Sequence, residues 1–214
     1  MNEAPISVVI LAKNEEKRIQ DCIKSILGWA DEIIVVDDES SDRTKELAQR
    51  LGARALIRKM DIEGRQRNWA YSQAKNEWVF SLDADERLTE ELKKEIKEVL
   101  ADTEHACFEM PFKTYIENYW IKGGGWYPGS KVRLFRKSKF KYEEVEVHPG
   151  ITVDGSCGRL RGDIIHYNYR NWEDFLNKTN KQTTLEALKW HKLSLKNPKK
   201  ARYKMNLSNV LHRA

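Results

Sequence analysis

The stretch Ile33-Ile34-Val35-Val36-Asp37-Asp38 decides the fold expected for this chain. Four consecutive β-branched apolar residues are typical of a short strand that is buried on both faces, as in a parallel sheet. The two aspartates end this apolar run. Because open parallel sheets bind ligands beyond the carboxyl ends of their strands, the polar residues after this strand are the first candidates for a functional site.

Strand-like and helix-like patterns alternate on both sides of this stretch. The expected strands are residues 6–11, 33–36, 55–57 and 78–82. Three of the expected helices begin after cap residues, namely Asn14, Ser41 or Asp42, and Thr89, and a fourth runs over 65–74. This alternation predicts an α/β fold with a mostly parallel, Rossmann-like sheet and helices on both faces. The second half differs, with mixed strands at 107–121 and 131–136 and helices from residue 172. We therefore expect one domain over residues 1–170, followed by a helical segment over 171–214.

Composition narrows the class of protein. The chain has 214 residues, of which 33% are charged and 40% hydrophobic, which is a globular rather than a disordered balance. It contains no apolar run of about 20 residues that would cross a bilayer, and no basic-then-apolar N-terminal segment typical of a secretory signal. Cys22, Cys107 and Cys157 are odd in number and far apart, which argues against a disulfide framework. A cytoplasmic protein is expected.

Positive charge is concentrated at the C-terminus. The chain carries a net charge of +5, and residues 187–214 contain eight lysines or arginines and no acid, so the other residues sum to 5 − 8 = −3. Tyr203, Leu207, Val210 and Leu211 would share one helical face among these cations. This pattern favours an amphipathic helix on an anionic membrane, with nucleic acid as the alternative partner.

Three strand ends carry polar clusters that would lie at one edge of the sheet: Lys13-Asn14-Glu15, Asp37-Asp38 and Asp83-Ala84-Asp85. Alternation along an extended backbone lets Asp83 and Asp85 point to one side and share a cation. Mg²⁺ typically takes one or two carboxylates together with phosphate oxygens. A triplet of this kind is by itself most often a solvated turn, but its position at the end of a buried strand favours a metal site.

The segment Gly64-Arg65-Gln66-Arg67-Asn68 opens a helix with two cations. Arg65 and the helix N–H groups suit an anionic ligand, although an exposed charged first turn has the same pattern. No Gly-x-Gly-x-x-Gly follows the first strand, which disfavours a dinucleotide-dependent enzyme.

The ordered motifs together resemble the family 2 glycosyltransferases of GT-A fold. The stretches that carry this resemblance are 6–15, Val35-Val36-Asp37-Asp38-Glu39-Ser40-Ser41-Asp42 and Leu82-Asp83-Ala84-Asp85-Glu86. The second half is similar to the β-glucosyltransferases of lipopolysaccharide inner-core assembly, through Trp126-Tyr127-Pro128, Arg133-Leu134-Phe135-Arg136, Val147-His148, Gly158-Arg159-Leu160 and Ile165-His166-Tyr167-Asn168-Tyr169-Arg170.

This resemblance implies a role for each matching position. The nucleoside of a UDP-sugar would be held by Ala12, Lys13, Asn14, Glu15 and Asp37. Asp83 and Asp85 would bind ribose and a Mg²⁺ or Mn²⁺ ion, and Arg136 (or Arg133) or His166 would steady the diphosphate. The implied reaction is an inverting transfer of a hexose, with glucose the expected sugar, to a lipopolysaccharide-core or other lipid-linked acceptor at the inner membrane face.

An inverting transfer needs a general base on the acceptor side. Related enzymes usually have Val-His-Glu where this chain has Val147-His148-Pro149, so the usual carboxylate is missing. Glu146 is the expected base, with Glu144 second, and an exposed strand edge is the alternative explanation for both acids. Trp126 and Tyr127, next to three glycines, are an expected acceptor platform.

Two other functions fit parts of the sequence. A sugar nucleotidyltransferase has a similar sheet, but usually carries a glycine-rich, lysine-bearing loop where this chain has Ala12-Lys13-Asn14-Glu15. A nucleic-acid-binding module would use the basic C-terminal segment, but the remaining residues are net acidic.

Overall fold

The computed structural model describes residues 4–145 and 150–196. The chain forms two compact units, one of Met1–Phe112 with Ser130–His166 and one of Lys113–Gly129 with Tyr167–Ala214. The division at residue 170 expected from the sequence stays a prediction. Among the residues that the structure describes, no helix has the length and apolar character needed to cross a membrane.

Strands and helices alternate in the first hundred residues, as the sequence predicts. The strands are β1 (Ile6–Ala12), β2 (Glu32–Asp37), β3 (Arg54–Ile57), β4 (Trp78–Asp83), β5 (Glu86–Leu88), β6 (Cys107–Ile116), β7 (Tyr119–Trp120), β8 (Ser130–Arg136), β9 (Phe140–Tyr142), β10 (Ile151–Val153), β11 (Cys157–Arg159) and β12 (Ile164–Tyr169). The helices are α1 (Ile19–Lys24), α2 (Thr44–Arg50), α3 (Glu63–Ser72), α4 (Glu90–Leu100) and α5 (Trp172–Lys196), with a 3₁₀ turn at Lys137–Lys139.

The first four strands form a parallel sheet in the order β3-β2-β1-β4. In this sheet Ala12 pairs with Asp37, and Leu11 pairs with Asp83. The parallel direction therefore brings three strand ends to one edge. This arrangement confirms the expected α/β fold class, with parallel strands over the first hundred residues and mixed strands in the second half.

Helix α4 packs its apolar face into the core beside the sheet. Its N-cap residue Thr89 accepts a hydrogen bond from the N–H group of Leu92 at 3.2 Å, which satisfies one of the free donors of the first turn. Leu92, Ile96 and Leu100 recur at helical spacing and are buried in the core beside β1 and β4. Burial of each of these side chains stabilises the fold by roughly 1.5–3 kcal/mol.

Antiparallel strands complete the first unit and bring distant residues to the sheet edge. Strand β8 pairs with β4 and with β6, so that Leu134 lies opposite both Phe80 and Phe108. Strand β12 pairs with β5, which places His166 opposite Glu86. Both pairings close long loops, and neither can be inferred from local sequence patterns.

The expectation of no disulfide was wrong for Cys107 and Cys157, which are bonded in the structure. Strand β11 runs parallel to β6 with these two cysteines in register, and their Cα atoms are 4.7 Å apart. Spacing along the chain did not reveal this pair, because the two residues meet only through strand pairing. Cys22 is the free, buried cysteine of the part that the structure describes.

The second unit contains an aromatic cluster. Trp126 contacts the rings of Tyr169 and Phe175 at centroid distances of 6.2 and 6.3 Å, and Tyr127 meets Trp120 edge-on at 5.1 Å. Trp126 and Tyr127, the two residues of the expected acceptor platform, therefore pack against other aromatic rings. Their role in binding an acceptor stays a prediction.

Candidate active site

Asp83 ends strand β4 between two arginines. Its Oδ2 atom lies 2.6 Å from Nη2 of Arg133, and its Oδ1 atom lies 3.4 Å from Nη2 of Arg67. Burial raises the pKa of the carboxyl group, but the two guanidinium groups outweigh burial and hold that pKa well below its usual range. Asp83 is therefore a fixed, ionised hydrogen-bond acceptor.

Glu86 is a fully buried acid next to Asp83 and Asp85. Its side chain is fully buried, contacts the guanidinium group of Arg133, and accepts a hydrogen bond from the N–H group of Asp83 at 2.9 Å. Burial raises the pKa of Glu86. Arg133 thus contacts both Asp83 and Glu86, and this shared contact fixes the turn that contains Asp85.

Asp85, Glu86 and His166 form the group that fits a metal ion. One ligand atom from each lies within 4.8 Å of the others, and Nε2 of His166 is 3.6 Å from Oδ2 of Asp85. Carboxylate oxygens suit Mg²⁺ and Mn²⁺, and an imidazole nitrogen adds a ligand that Mn²⁺ accepts more readily than Mg²⁺ does. The residues present therefore fit a divalent cation.

The expected pairing of Asp83 with Asp85 around one cation differs from this arrangement. Both oxygens of Asp83 face arginines, whereas Asp85 faces His166 and lies 3.9 Å from Nη1 of Arg18. The reason is that the chain turns at Ala84 and Asp85 instead of continuing as an extended strand, so the alternation of side chains ends at Asp83.

The nucleoside candidates lie at the ends of β1 and β2. Asp37 is 2% exposed and accepts hydrogen bonds from the N–H group of Ser40 at 3.2 Å and from the Ser40 hydroxyl group. Ala12, buried in β1, pairs with Asp37 in the sheet. These contacts hold the carboxylate of Asp37 at the sheet edge, where the sequence places it.

The loop after β1 is tied to the loop after β2 through each of its polar residues. Lys13 forms an ion pair with Asp38 at 2.8 Å, and hydrogen bonding to this carboxylate raises the pKa of Lys13. Asn14, with a φ of 55°, accepts a hydrogen bond from the N–H group of Ser41 at 2.9 Å, so it joins the two loops instead of capping a helix. The N–H group of Glu15 donates to Oγ1 of Thr44 at 2.7 Å.

Arg136 does not reach this edge. It lies opposite Trp78, the first residue of β4, whereas Asp83 is the last, and a strand advances about 3.3 Å per residue. Its guanidinium group donates to the carbonyl groups of Thr103 and His105 at 3.1 and 3.3 Å. Within the Arg133/Arg136 pair, the structure brings Arg133 to the site, because residues three apart on a strand lie at different depths and on opposite faces.

Arg65 and Glu144 contact each other. Nε of Arg65 lies 3.1 Å from Oε2 of Glu144, and Nη1 contacts Asp61. Glu144 is exposed and lies two residues after the end of strand β9. Glu146, the first choice as base, lies outside the described residues, as do the other residues of 146–149.

Sequence reasoning selected Arg65 and gave no site role to Arg67 or Glu86, both of which the structure brings to the site. Residues i and i+2 of a helix point about 200° apart, so Arg65 and Arg67 face opposite sides of α3. Their side chains are 42% and 13% exposed, respectively. Ala70 and Tyr71 are buried and lie one turn after Arg67. Because Ala70 and Tyr71 lie three and four residues after Arg67, helical spacing would have placed Arg67, and not Arg65, on the inward face of α3.

Comparison with known proteins agrees with this geometry. The family described as glycosyl transferase family 2 matches residues 7–166 of the chain. The chain is 32% identical over 191 residues to the lipopolysaccharide core biosynthesis glycosyltransferase LpsC of Rhizobium meliloti, covering 86% of this chain and 70% of that protein. It is 30% identical over 195 residues to an uncharacterized glycosyltransferase of Rickettsia typhi, covering 85% of this chain and 66% of that protein.

Among solved structures, TarS of S. aureus matches with a TM-score of 0.49 and 21% identity, over 63% of this chain and 28% of that one. The chain spans about two thirds of the length of the two curated relatives. Because the family match covers most of the chain and includes every described site residue from Ala12 to His166, the chain belongs to glycosyl transferase family 2.

Proposed function

We propose that this chain is an inverting glycosyltransferase that moves a sugar from a UDP-sugar to a lipopolysaccharide-core or other lipid-linked glycan, with glucose as the first donor sugar to test. The observation that carries the proposal is the cluster of Asp85, Glu86 and His166 directly after β4, at the same sheet edge as Asp37. Similarity to a protein named for lipopolysaccharide core biosynthesis supports the acceptor class.

Asp85 and His166 are the proposed metal ligands, with Glu86 behind them and Asp83 beside them. A bound Mg²⁺ or Mn²⁺ would neutralise the charge that builds on the diphosphate leaving group. Arg133 holds Asp83 ionised, so that this carboxylate accepts a hydrogen bond from a ribose hydroxyl group. Asp37, at the end of β2 on the same sheet edge, accepts hydrogen bonds from the nucleoside.

The transfer requires one proton acceptor. The oxygen of an acceptor hydroxyl group forms a bond to the anomeric carbon, the bond from that carbon to the diphosphate breaks, and UDP leaves with the electron pair. A carboxylate on the acceptor side takes the hydroxyl proton. Glu146 is the proposed base and Glu144 the second candidate. Glu144 forms an ion pair with Arg65 at 3.1 Å.

We also propose that the protein lies on the cytoplasmic side of an anionic membrane, bound through its basic C-terminal segment. The second unit contains 13 lysines and arginines and 4 acids, a net charge of +9, so the first unit carries 5 − 9 = −4. Cations near an anionic leaflet each contribute about 1 kcal/mol of attraction. The net positive charge of the second unit would draw that unit toward an anionic leaflet.

A panel of nucleotide-sugars tests the donor assignment. We expect UDP-glucose or a related UDP-sugar to raise the thermal unfolding midpoint only with Mg²⁺ or Mn²⁺ present, because ligands stabilise the state that binds them. Release of UDP on incubation with the donor supports a transferase. Release of pyrophosphate from UTP and a sugar phosphate would instead show a nucleotidyltransferase, and no response to any nucleotide would contradict both.

A further inference from the structure

We propose that Asn68 is a positioning residue that fixes the hairpin of strands β9 and β10 against helix α3, and so sets Glu144, a candidate base, relative to Asp83. This inference rests on the proposed transferase function. It concerns an amide side chain that touches neither the donor candidates nor the metal candidates.

The amide of Asn68 makes two hydrogen bonds to the backbone of one residue. Nδ2 donates to the carbonyl oxygen of Tyr142 at 2.9 Å, and the N–H group of Tyr142 donates to Oδ1 at 2.9 Å. Because both backbone groups of Tyr142 are used, the contact fixes the position of the hairpin along the helix as well as its distance from it. The side chain of Asn68 is half-buried, and its two hydrogen bonds leave it little freedom to move.

One helical turn earlier, Gly64 makes the closest approach between the helix and the hairpin. A Cβ atom at this position would lie 1.9 Å from the carbonyl oxygen of Glu143. The obstructing atom belongs to the backbone, so a side chain at residue 64 would require the hairpin itself to move. Gly64 and Asn68 are four residues apart on one helix face and together hold two consecutive residues of the hairpin.

The hairpin is closed just beyond these contacts. The N–H group of Glu143 donates to the carbonyl oxygen of Gly150 at 2.9 Å, and strand β9 pairs with β10. Residues 144–149 connect these two paired positions in the sequence, and they include both proposed bases, Glu144 and Glu146. Contacts at Tyr142 and Glu143 therefore fix the backbone directly before Glu144.

The same helix also reaches the donor side. Arg67, next to Asn68, lies 3.4 Å from Asp83, and its guanidinium group sits over the ring of Tyr142 at 5.6 Å. Helix α3 thus contacts the donor-side carboxylate and the acceptor-side hairpin at once. Because a misplacement of about 1 Å between reacting groups costs up to a hundredfold in rate, this link has a catalytic consequence.

Two variants test the link by different routes. Asn68→Ala removes both hydrogen bonds, and Gly64→Ala pushes the hairpin away while it favours the helix. Ser72→Ala is the control, since this exposed hydroxyl group at the other end of α3 donates to the carbonyl group of Trp69 and accepts from the amide of Gln73, away from the hairpin. The measurements are hydrogen exchange at the amides of Tyr142 and Glu143, UDP affinity with Mn²⁺, and the rate of UDP release from UDP-glucose.

We expect faster exchange in the hairpin, a UDP affinity within about twofold of wild type, and UDP release slowed by about tenfold or more in both variants. Unchanged exchange in Asn68→Ala would show that the amide does not hold the hairpin. A parallel loss of UDP affinity in folded protein would make Asn68 part of the donor site and would also overturn the proposal. If the wild-type protein binds no UDP, the proposed function fails and the positioning role with it, whereas the exchange rates still report the contact.

Discussion

Nη2 of Arg133 lies 2.6 Å from Oδ2 of Asp83, although the two residues are 50 positions apart and lie on antiparallel strands. The same nitrogen atom contacts Glu86. One guanidinium group therefore holds the two carboxylates on either side of Asp85, the proposed metal ligand. This relationship explains how three acids within four residues coexist in a largely buried turn.

Arg133→Met is expected to destabilise the protein by roughly 3–5 kcal/mol, because the buried carboxylates of Asp83 and Glu86 lose their shared cation. Arg133 is 4% exposed, so water does not replace the lost charge. Urea unfolding measures the effect. Arg159→Met is the matched control, since the ion pair of Arg159 with Glu109 is exposed and contributes at most about 1 kcal/mol. Equal effects of the two variants would contradict the assigned role of Arg133.

The pH dependence of stability reports on Asp83. Its folded-state pKa is lowered below the ordinary value of 3.8, so its carboxylate stabilises the fold fully above that pH. The contribution is lost as the pH falls through the folded-state pKa. We expect wild type to exceed Asp83→Asn by on the order of 2 kcal/mol between about pH 5 and 7, with a difference that shrinks on further acidification. Unfolding curves from pH 7 to 3 measure it, and a constant difference would count against an ionised, arginine-bound Asp83.

Metal binding separates Asp85 and His166 from other polar residues. Asp85→Asn and His166→Ala are each expected to weaken Mn²⁺ binding by at least about tenfold, since loss of even an outer-shell partner has an effect of this size. The Mn²⁺-dependent rise in melting temperature with UDP should disappear with them. Asp21→Asn, which changes an exposed carboxylate outside the cluster, should keep that rise. If Asp85→Asn retained it, the proposed metal ligands would be wrong.

The disulfide between Cys107 and Cys157 closes a loop of 50 residues. In the oxidised protein its loss is expected to cost roughly 4 kcal/mol, from the loop-closure entropy of the unfolded chain. Cys157→Ser should therefore unfold at lower urea concentration than oxidised wild type. Adding dithiothreitol should bring wild type to the same midpoint and leave the variant unchanged. A wild-type midpoint that ignores the reductant would show that the two thiols are not linked.

Membrane attachment is expected to depend on the basic C-terminal segment. Replacing Lys199, Lys200, Arg202 and Lys204 by glutamine removes four charges at about 1 kcal/mol each, so binding to phosphatidylglycerol vesicles should weaken by about a thousandfold at low ionic strength. Vesicle co-sedimentation measures this, with phosphatidylcholine vesicles as the control that binds neither protein. Equal binding of the two proteins to anionic vesicles would exclude this segment as the attachment site, although these residues lie outside the described structure.

Much of the fold was predictable because the first hundred residues are locally consistent. Mostly apolar runs form β1, β2 and β4, and the predicted strand ends at Asp37 and Asp83 agree with the structure. Helix α4 begins after its predicted cap, Thr89. The disulfide was not predictable, because Cys107 and Cys157 come into register only when β11 pairs with β6.

The common sheet edge of the site was predictable, but the contacts within the site were not. Parallel strand direction follows from the alternation of strands and helices, and it alone brings Asp37 and Asp83 to one edge. The different contacts of Asp83 and Asp85 do not follow from the sequence of the triplet. They depend on which cationic side chains the other strands and helices bring to it. Arg133 comes from β8, and Arg67 comes from a helix face that the pattern of charges did not identify.

By itself the sequence determined the parallel sheet, the position of the acidic triplet at its carboxyl edge, and the resemblance to a glycosyltransferase family. These features depend on short-range periodicity and on motifs a few residues long. Only the tertiary structure decided that Asp83 binds arginines while Asp85 faces His166, and that Arg136 lies at the far end of its strand. Those outcomes depend on antiparallel pairings between segments about 50 to 80 residues apart, whose register is set by packing across the whole sheet.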